Sequence, residues 1–199
     1  MNLDFTEKYS LENDFVLLRP LEPSDFDLLL EYAENEAEIW SYNFGGPAGK
    51  EGLQKYLDNA IAQRTHGNEY PFIVFDKATQ KYVGSTRFYA IYPNNKTLEI
   101  GYTWYGKQYQ GSGINKNCKY LLLEFAFGQL QMERVGFRAN SLNNRSIAAM
   151  KSIGCIEEGI LRNFATDAKG NRMDAIVLSI IRNEWFDTVK QNLKDKIAK

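Results

Sequence analysis

The chain has few of the residues on which metal, redox and disulfide chemistry is built. Its 199 residues include one histidine, His66, and two cysteines, Cys118 and Cys155. Those cysteines have neither the spacing of metal ligands nor the density of a disulfide framework, so a zinc site and a stapled secreted fold are both excluded and no metal is expected. Long apolar runs are missing as well. No segment reaches the roughly 18 uncharged apolar residues of a membrane span, and Met1 to Ser10 carries charges without an apolar block of signal-peptide length. The expectation is a soluble, unprocessed, cytoplasmic protein with no membrane partner. An excess of one charge is also lacking: 24 basic residues face 25 acidic ones, for a net charge of -1. So slight a field argues against nucleic acid as the main partner, and any anion must be recognised locally. His66 precedes Gly67 at a predicted helix end, where contact with the last carbonyls accounts for it.

Ordinary apolar content in a chain of this length builds one sizeable core, so a single domain over 1–199 is expected. Pro23 suits a first helical turn, and Phe26, Leu29, Leu30 and Ala33 share one face. After Gly45-Gly46-Pro47, the residues Leu53, Leu57, Ala60 and Ile61 predict a second helix that stops at Gly67. Phe72 to Asp76, Tyr82 to Tyr92 and Thr97 to Trp104 read as strands, and the short turns between them imply antiparallel neighbours. Ile114, Cys118, Leu121, Leu122 and Phe125 then recur at helical spacing. Arg134 to Ala139 predicts a strand, and Ile147, Met150 and Ile153 a short helix ended by Gly154. Strands at about 155–165 and 172–181 precede a polar C-terminal helix at about 183–198, whose Lys190, Lys194, Lys196 and Lys199 read as a solvated face. The sum is an α/β fold: a mixed, mostly antiparallel twisted sheet flanked by helices.

One loop stands out against this background. Gln108-Tyr109-Gln110-Gly111-Ser112-Gly113 lies between the strand ending near Trp104 and the helix starting at Ile114. Two glycines let successive N–H groups turn toward one anion, and the helix aims its positive end at the same point. A dinucleotide fingerprint would need glycine where Lys116 stands, a Walker loop would need Gly-Lys-Ser/Thr, and a kinase would need a His-Arg-Asp segment downstream. None is present. The pattern that fits is Gln/Arg-x-x-Gly-x-Gly/Ala, on Gln108, Gly111 and Gly113.

That pattern resembles the acyl-CoA loop of the GCN5-related N-acetyltransferases, and the resemblance extends over about residues 15–185. Phe15 to Leu21 followed by Ser24-Asp25-Phe26 looks like the family's first strand and helix, and Leu98 to Trp104 is similar to its fourth strand. Asn143-Asn144-Arg145-Ser146, Lys151-Ser152-Ile153-Gly154-Cys155 and Glu158-Gly159-Ile160-Leu161-Arg162 are similar to motifs of the ribosomal-protein acetyltransferase branch. The resemblance implies a single-domain fold of that family, acetyl-CoA as cosubstrate, direct transfer in a ternary complex, and an acceptor amine on a protein N-terminus or a small molecule. It leaves open a catalytically silent acyl-CoA-binding module, and a monomer or a homodimer.

Site residues follow from the resemblance one by one. The amides from Tyr109 to Ile114, in the loop Gln108, Tyr109, Gln110, Gly111, Ser112, Gly113 and Ile114, are expected to hold pyrophosphate. Backbone at Ile100 and Tyr102, in a bulge that Gly101 permits, is expected to pair with the pantetheine arm and polarise the thioester. Asn143 is matched to a pantetheine contact and Ser146 to assistance of the leaving thiolate, although both residues could instead cap the following helix. Glu99 stands where some members keep a general base, or else it is a charge paired on the sheet. Trp40, Tyr42 and Phe44, with the turn Thr166 to Arg172 opposite, are expected to wall the acceptor pocket, unless the aromatics merely cover a core. Three departures stand out: Asn115 in place of a common Glu, Gln108 in place of a common Arg, and Asn163-Phe164-Ala165 where some members of the branch carry a carboxylate.

Overall fold

Tyr70 to Phe75 is apolar at every position, a pattern that suits a strand covered on both faces. In the computed structural model, which describes residues 3–40, 48–166 and 170–197, this run lies inside an eight-stranded sheet. The strands are β1 (Leu11–Glu12), β2 (Val16–Pro20), β3 (Tyr70–Asp76), β4 (Lys81–Tyr92), β5 (Thr97–Tyr105), β6 (Arg134–Asn140), β7 (Ile156–Thr166) and β8 (Arg172–Ile181), in the spatial order β1-β2-β3-β4-β5-β6-β8-β7. All neighbours are antiparallel except β5 and β6, which run parallel. A parallel pair needs a crossover, and the helix α3 (Ile114–Glu124) supplies it.

Helices cover both faces. On one face lie α1 (Phe26–Asn35) and α2 (Gly49–Thr65), which bury Leu29, Tyr32, Leu53, Leu57 and Ala60. On the other face α3 buries Cys118, Leu122 and Leu123, and its π-helical continuation Phe125–Gln129 stacks Phe125 on Phe88 of β4 at 6.1 Å. Both cysteines are buried free thiols. α4 (Asn144–Ser152) follows β6, and the chain closes with α5 (Arg182–Glu184), a π-helical turn Trp185–Val189 and α6 (Lys190–Ile197). Among the described residues no helix is long and apolar enough to cross a membrane.

The elements match the periodicity of the sequence with three differences. β1 is too short to leave a period, and β3 begins at Tyr70, two residues before the expected start. The third difference concerns the C-terminal segment, which is not simply polar. Trp185, Val189 and Leu193 recur every fourth residue and are buried, so a narrow apolar stripe seats an otherwise charged helix. Lys190 donates to Glu124 Oε1 at 2.8 Å and Lys196 to the Ser152 carbonyl at 2.8 Å, so two lysines of the expected solvated face fasten the segment instead.

Trp185 is wholly buried, stacks on Phe127 at 5.8 Å and donates from Nε1 to Glu124 at 3.3 Å. Trp185→Ala is expected to lower the free energy of unfolding by about 3–5 kcal/mol, read from urea melts, because the cavity forms where α3 and the C-terminal segment meet.

Candidate active site

The sheet splits at its centre. β5 and β6 are paired through only Thr97–Arg134, Leu98–Val135 and Glu99–Gly136, while β5 continues to Tyr105 and β6 to Asn140. From Ile100 onward no described strand lies beside β5 on the β6 side, so the sheet opens into a cleft along that edge. Within that stretch the β4–β5 register slips: Ser85 faces Trp104 and Arg87 faces Gly101, so Thr86 opposes two residues, Tyr102 and Thr103. This is a β-bulge, and Tyr102 has φ +51°. Consecutive residues Gly101 and Tyr102 consequently turn to the α2 face, Thr103 to the α3 face and Trp104 back to the α2 face.

Gly101 is not the residue that adopts the left-handed conformation. A Cβ there would lie 2.6 Å from Cε1 of Tyr89, so the glycine is required by the close approach of that ring, and Tyr102 carries the bulge dihedral. The sequence expectation of a bulge near Ile100 to Tyr102 falls beside the observed slip, with Gly101 serving Tyr89 and Tyr102 supplying the dihedral.

At the end of β5 the chain passes through a 3-10 turn, Lys107–Tyr109, into the glycine loop. The amides of Tyr109 and Gln110 donate to Gly106 and Lys107 carbonyls at 2.9 and 3.1 Å, and the Lys107 amide donates to Glu36. These groups are already satisfied, so the expected run of donors starts later than Tyr109. Gly111 and Gly113 have φ +81° and +94°, with open space around a notional Cβ. Their conformation, not crowding, demands glycine. Gly113 is the N-cap of α3 and no side chain caps the helix, so the amides of Ile114, Asn115 and Lys116 add to those of Gly111 to Gly113 at its positive end. Ser112 Oγ donates to the Tyr109 carbonyl and tightens the loop. Gln108 lies on the outer side, where it lines a cavity of about 350 Å³ with Tyr109, Ser112 and Ile114.

Side chains from β4, β5, β6 and α2, with Glu69 just before β3, form a polar cluster on the α2 face of the cleft. Glu99 Oε2 accepts from Tyr89 OH at 2.6 Å and from Arg138 Nε at 2.7 Å, and no hydrogen bond to Oε1 is made among the described residues. Gly136 gives Glu99 its seat, since a Cβ there would lie 3.0 Å from Glu99 Cγ. Burial, and then the neighbouring Glu99 anion, keep the Tyr89 phenol protonated far above its ordinary range. Arg87 is 2 % exposed, pairs with Glu69 at 2.6 Å, and lies between the rings of Tyr56 at 4.9 Å and Tyr102 at 4.1 Å. Its Nε and Nη2 have no hydrogen-bond partner among the described residues. Phe164 of β7 covers Arg138 at 5.1 Å.

The turn before α4 forms the far side. Asn143 Oδ1 accepts from the Ser146 amide at 3.0 Å and so caps α4, which leaves Asn143 Nδ2 free to donate elsewhere. Arg145 contacts Gln110 Oε1, and Gln110 Nε2 donates to the Tyr105 carbonyl at 3.0 Å. One glutamine side chain therefore spans from β5 to α4. Trp40, expected to line the acceptor pocket unless it covers a core, is buried edge-on against Trp104 at 4.6 Å. Tyr42, Phe44 and residues 167–169 of the expected opposite turn lie outside the described residues.

Arg87, Tyr89, Arg138 and Arg145 were not among the residues expected from sequence. Arg87 left a usable signal, as the only charge between Tyr82 and Tyr92.

Comparison with known proteins agrees with this geometry. The family Acetyltransferase (GNAT) domain matches residues 16–156, and the chain belongs to that family: it is an acetyl-CoA-dependent N-acetyltransferase. It is 26% identical to the uncharacterized N-acetyltransferase p20 of Bacillus licheniformis over 88% of this chain and 98% of that protein. It is 27% identical to YdaF of Bacillus subtilis, assigned provisionally as a ribosomal N-acetyltransferase, over 87% of this chain and 94% of that one. A crystal structure of a GCN5-related N-acetyltransferase from Brucella melitensis superposes with a TM-score of 0.88 at 25% identity, covering 96% of this chain and 86% of that chain.

Because Gly101 makes room for Tyr89, Gly101→Ala is expected to destabilise the protein by about 1–3 kcal/mol in denaturant melts. The loss should be smaller when Tyr89→Leu is already present, a coupling that a double-mutant cycle measures.

Proposed function

We propose that this enzyme moves an acetyl group from acetyl-CoA directly to a primary amine within a ternary complex, and that the amine is a protein N-terminal α-amine encountered in the cytoplasm. The observation that carries this reading is the opening of the sheet after Glu99, with the uncapped end of α3 beyond it. Pyrophosphate would rest on the amides of Gly111 to Lys116, and the pantetheine arm would add to the free edge of β5 at Ile100 to Tyr102 as an extra strand does. Asn143 Nδ2 would reach the same arm from α4.

The acceptor nitrogen would then approach from the α2 face. Its lone pair forms the new C–N bond at the thioester carbonyl, the C–S bond breaks, one proton leaves the nitrogen and one is taken up by the departing thiolate. Glu99 Oε1, the free oxygen of the anchored carboxylate, is the proposed base, acting directly or through water. Ser146 Oγ is the proposed partner of the thiolate. Backbone donors of β5 would receive charge developing on the carbonyl oxygen. The side chains around the acceptor pair internally, Glu69 with Arg87 and Glu99 with Arg138, so the site sets no strong field against either sign of acceptor. A protein acceptor is favoured by the provisional ribosomal assignment of YdaF.

An acetyl-CoA screen that sets peptide N-termini against small amines tests the acceptor; preference for small amines would overturn the protein-acceptor reading. Gly111→Val, whose φ of +81° a branched side chain resists, should weaken CoA binding by about tenfold or more in calorimetry and leave the fold intact. Unchanged affinity in the folded variant would remove the loop from the site. Glu99→Gln should depress turnover most at low pH, where the amine is protonated, whereas pH–rate profiles of equal shape would leave Glu99 as a structural charge.

A further inference from the structure

Lys119 lies on α3 and is buried, a position at which an ammonium ordinarily needs a carboxylate. It has none. Nζ donates to Thr103 Oγ1 at 2.7 Å and, at longer range, to Thr86 Oγ1 at 3.4 Å, while the two hydroxyls lie 2.7 Å from each other. Both hydroxyls also approach the Gly101 carbonyl, at 3.5 and 3.4 Å. Thr86 and Thr103 are the residues at which the β4–β5 register slips. The lysine thus grips the bulge from the α3 face at the point where, on the opposite face, Arg87 holds the ring of Tyr102.

We infer that Lys119 is a positioning residue for acetyl transfer: through Thr103 and Thr86 its ammonium clamps the β5 bulge, so that the unpaired backbone edge of β5 stays aimed into the cleft. This rests on the placement of the thioester along β5 proposed above. A bulge held only by its own backbone could relax into the regular ladder, which would turn Trp104 to the wrong face and withdraw the free groups. The cation opposes that slip because a charged donor binds a hydroxyl more strongly than a neutral one.

Burial pulls the pKa of Lys119 down to about 8, so the clamp is charged below that pH and neutral above it. The titratable groups that act on it are Cys118 on its own helix and Cys155 just before β7, both pushed up to about 12 by burial and neutral near pH 8. Tyr105 of β5 and Asp76 of β3 bear on Cys118, and β4 and β5 present the Thr86 and Thr103 hydroxyls to the ammonium. The sign for stability follows from linkage. Between about pH 8 and about pH 10.5 the unfolded chain holds a proton on this lysine that the folded chain has lost, so this group adds stability as pH rises through that window.

The test compares wild type with Lys119→Met and Thr103→Val. Lys119→Met should bind CoA within about threefold of wild type by calorimetry, since the phosphate grip lies elsewhere, while kcat at neutral pH falls by about tenfold or more. The ratio of wild-type to variant kcat should shrink as pH rises through about 8, and the wild-type melting temperature should gain on that of the variant above the same pH. Thr103→Val, which keeps the lysine and removes its main acceptor, should show the same loss of kcat, and it decides the matter if Lys119→Met does not fold. A Lys119→Met enzyme with wild-type kcat at neutral pH, or a ratio that stays constant across pH, would overturn the clamp. If wild type transfers acetyl to no amine, the functional reading fails separately. Amide hydrogen exchange at Tyr102 to Trp104 then decides: about tenfold faster exchange in the folded variant supports the clamp, and unchanged exchange overturns it.

Discussion

Two consecutive residues on one face of a strand, Gly101 and Tyr102, are the constraint on which the rest of this site depends. The extra residue they impose on β5 returns Trp104 to the aromatic cluster with Trp40, Tyr32 and Tyr56, and it places Thr103 on the opposite face above Lys119. Without the slip, the strand could satisfy either the core at Trp104 or the polar groups at Gly101, but not both. The bulge also lies on the segment that has parted from β6, so no second ladder holds it. Its shape is left to side chains: Tyr89 beneath Gly101, Arg87 beneath Tyr102, and the hydroxyls of Thr86 and Thr103 on the far side.

That arrangement explains why charge is buried here at all. Arg87 and Lys119 approach the same bulge from opposite faces, Arg87 at Tyr102 and compensated by Glu69, Lys119 at Thr103 and Thr86 and met among the described residues by hydroxyls. Buried ions rarely contribute net stability relative to apolar replacements, and they persist where they fix one geometry among several. Glu99 follows the same logic, with one oxygen tied to Tyr89 and Arg138 and the other left free.

Different parts of this design left different traces in the sequence. The glycine loop was legible because Gly111 and Gly113 need a backbone conformation that few other residues accept. The helices α1, α2 and α3 were legible because each buries a stripe of apolar residues, and β3 because it is apolar at nearly every position. The C-terminal helix was misread as polar because three buried residues among many charged ones weigh little in composition. Lys119 was hidden by its residue type, since a lysine on a helix reads as solvated; yet it lies three residues before Leu122 and seven before Ala126, both fully buried, which is the register of the core face. Gly101 marked the neighbourhood of the bulge because glycine advertises conformational freedom, whereas Tyr102, which carries the positive φ, leaves no such trace.

The brief contact between β5 and β6 has a mechanical meaning. Along the β5–β6 line the two antiparallel parts of the sheet share three residue pairs, the Glu99–Arg138 ion pair and the Gln110 side chain that reaches from Tyr105 toward Arg145, while α3 and the C-terminal segment join them behind. A long thread-like molecule therefore need not be fed in from one end: the free edge of β5 lies open along its length beyond Glu99 and can be met from the side.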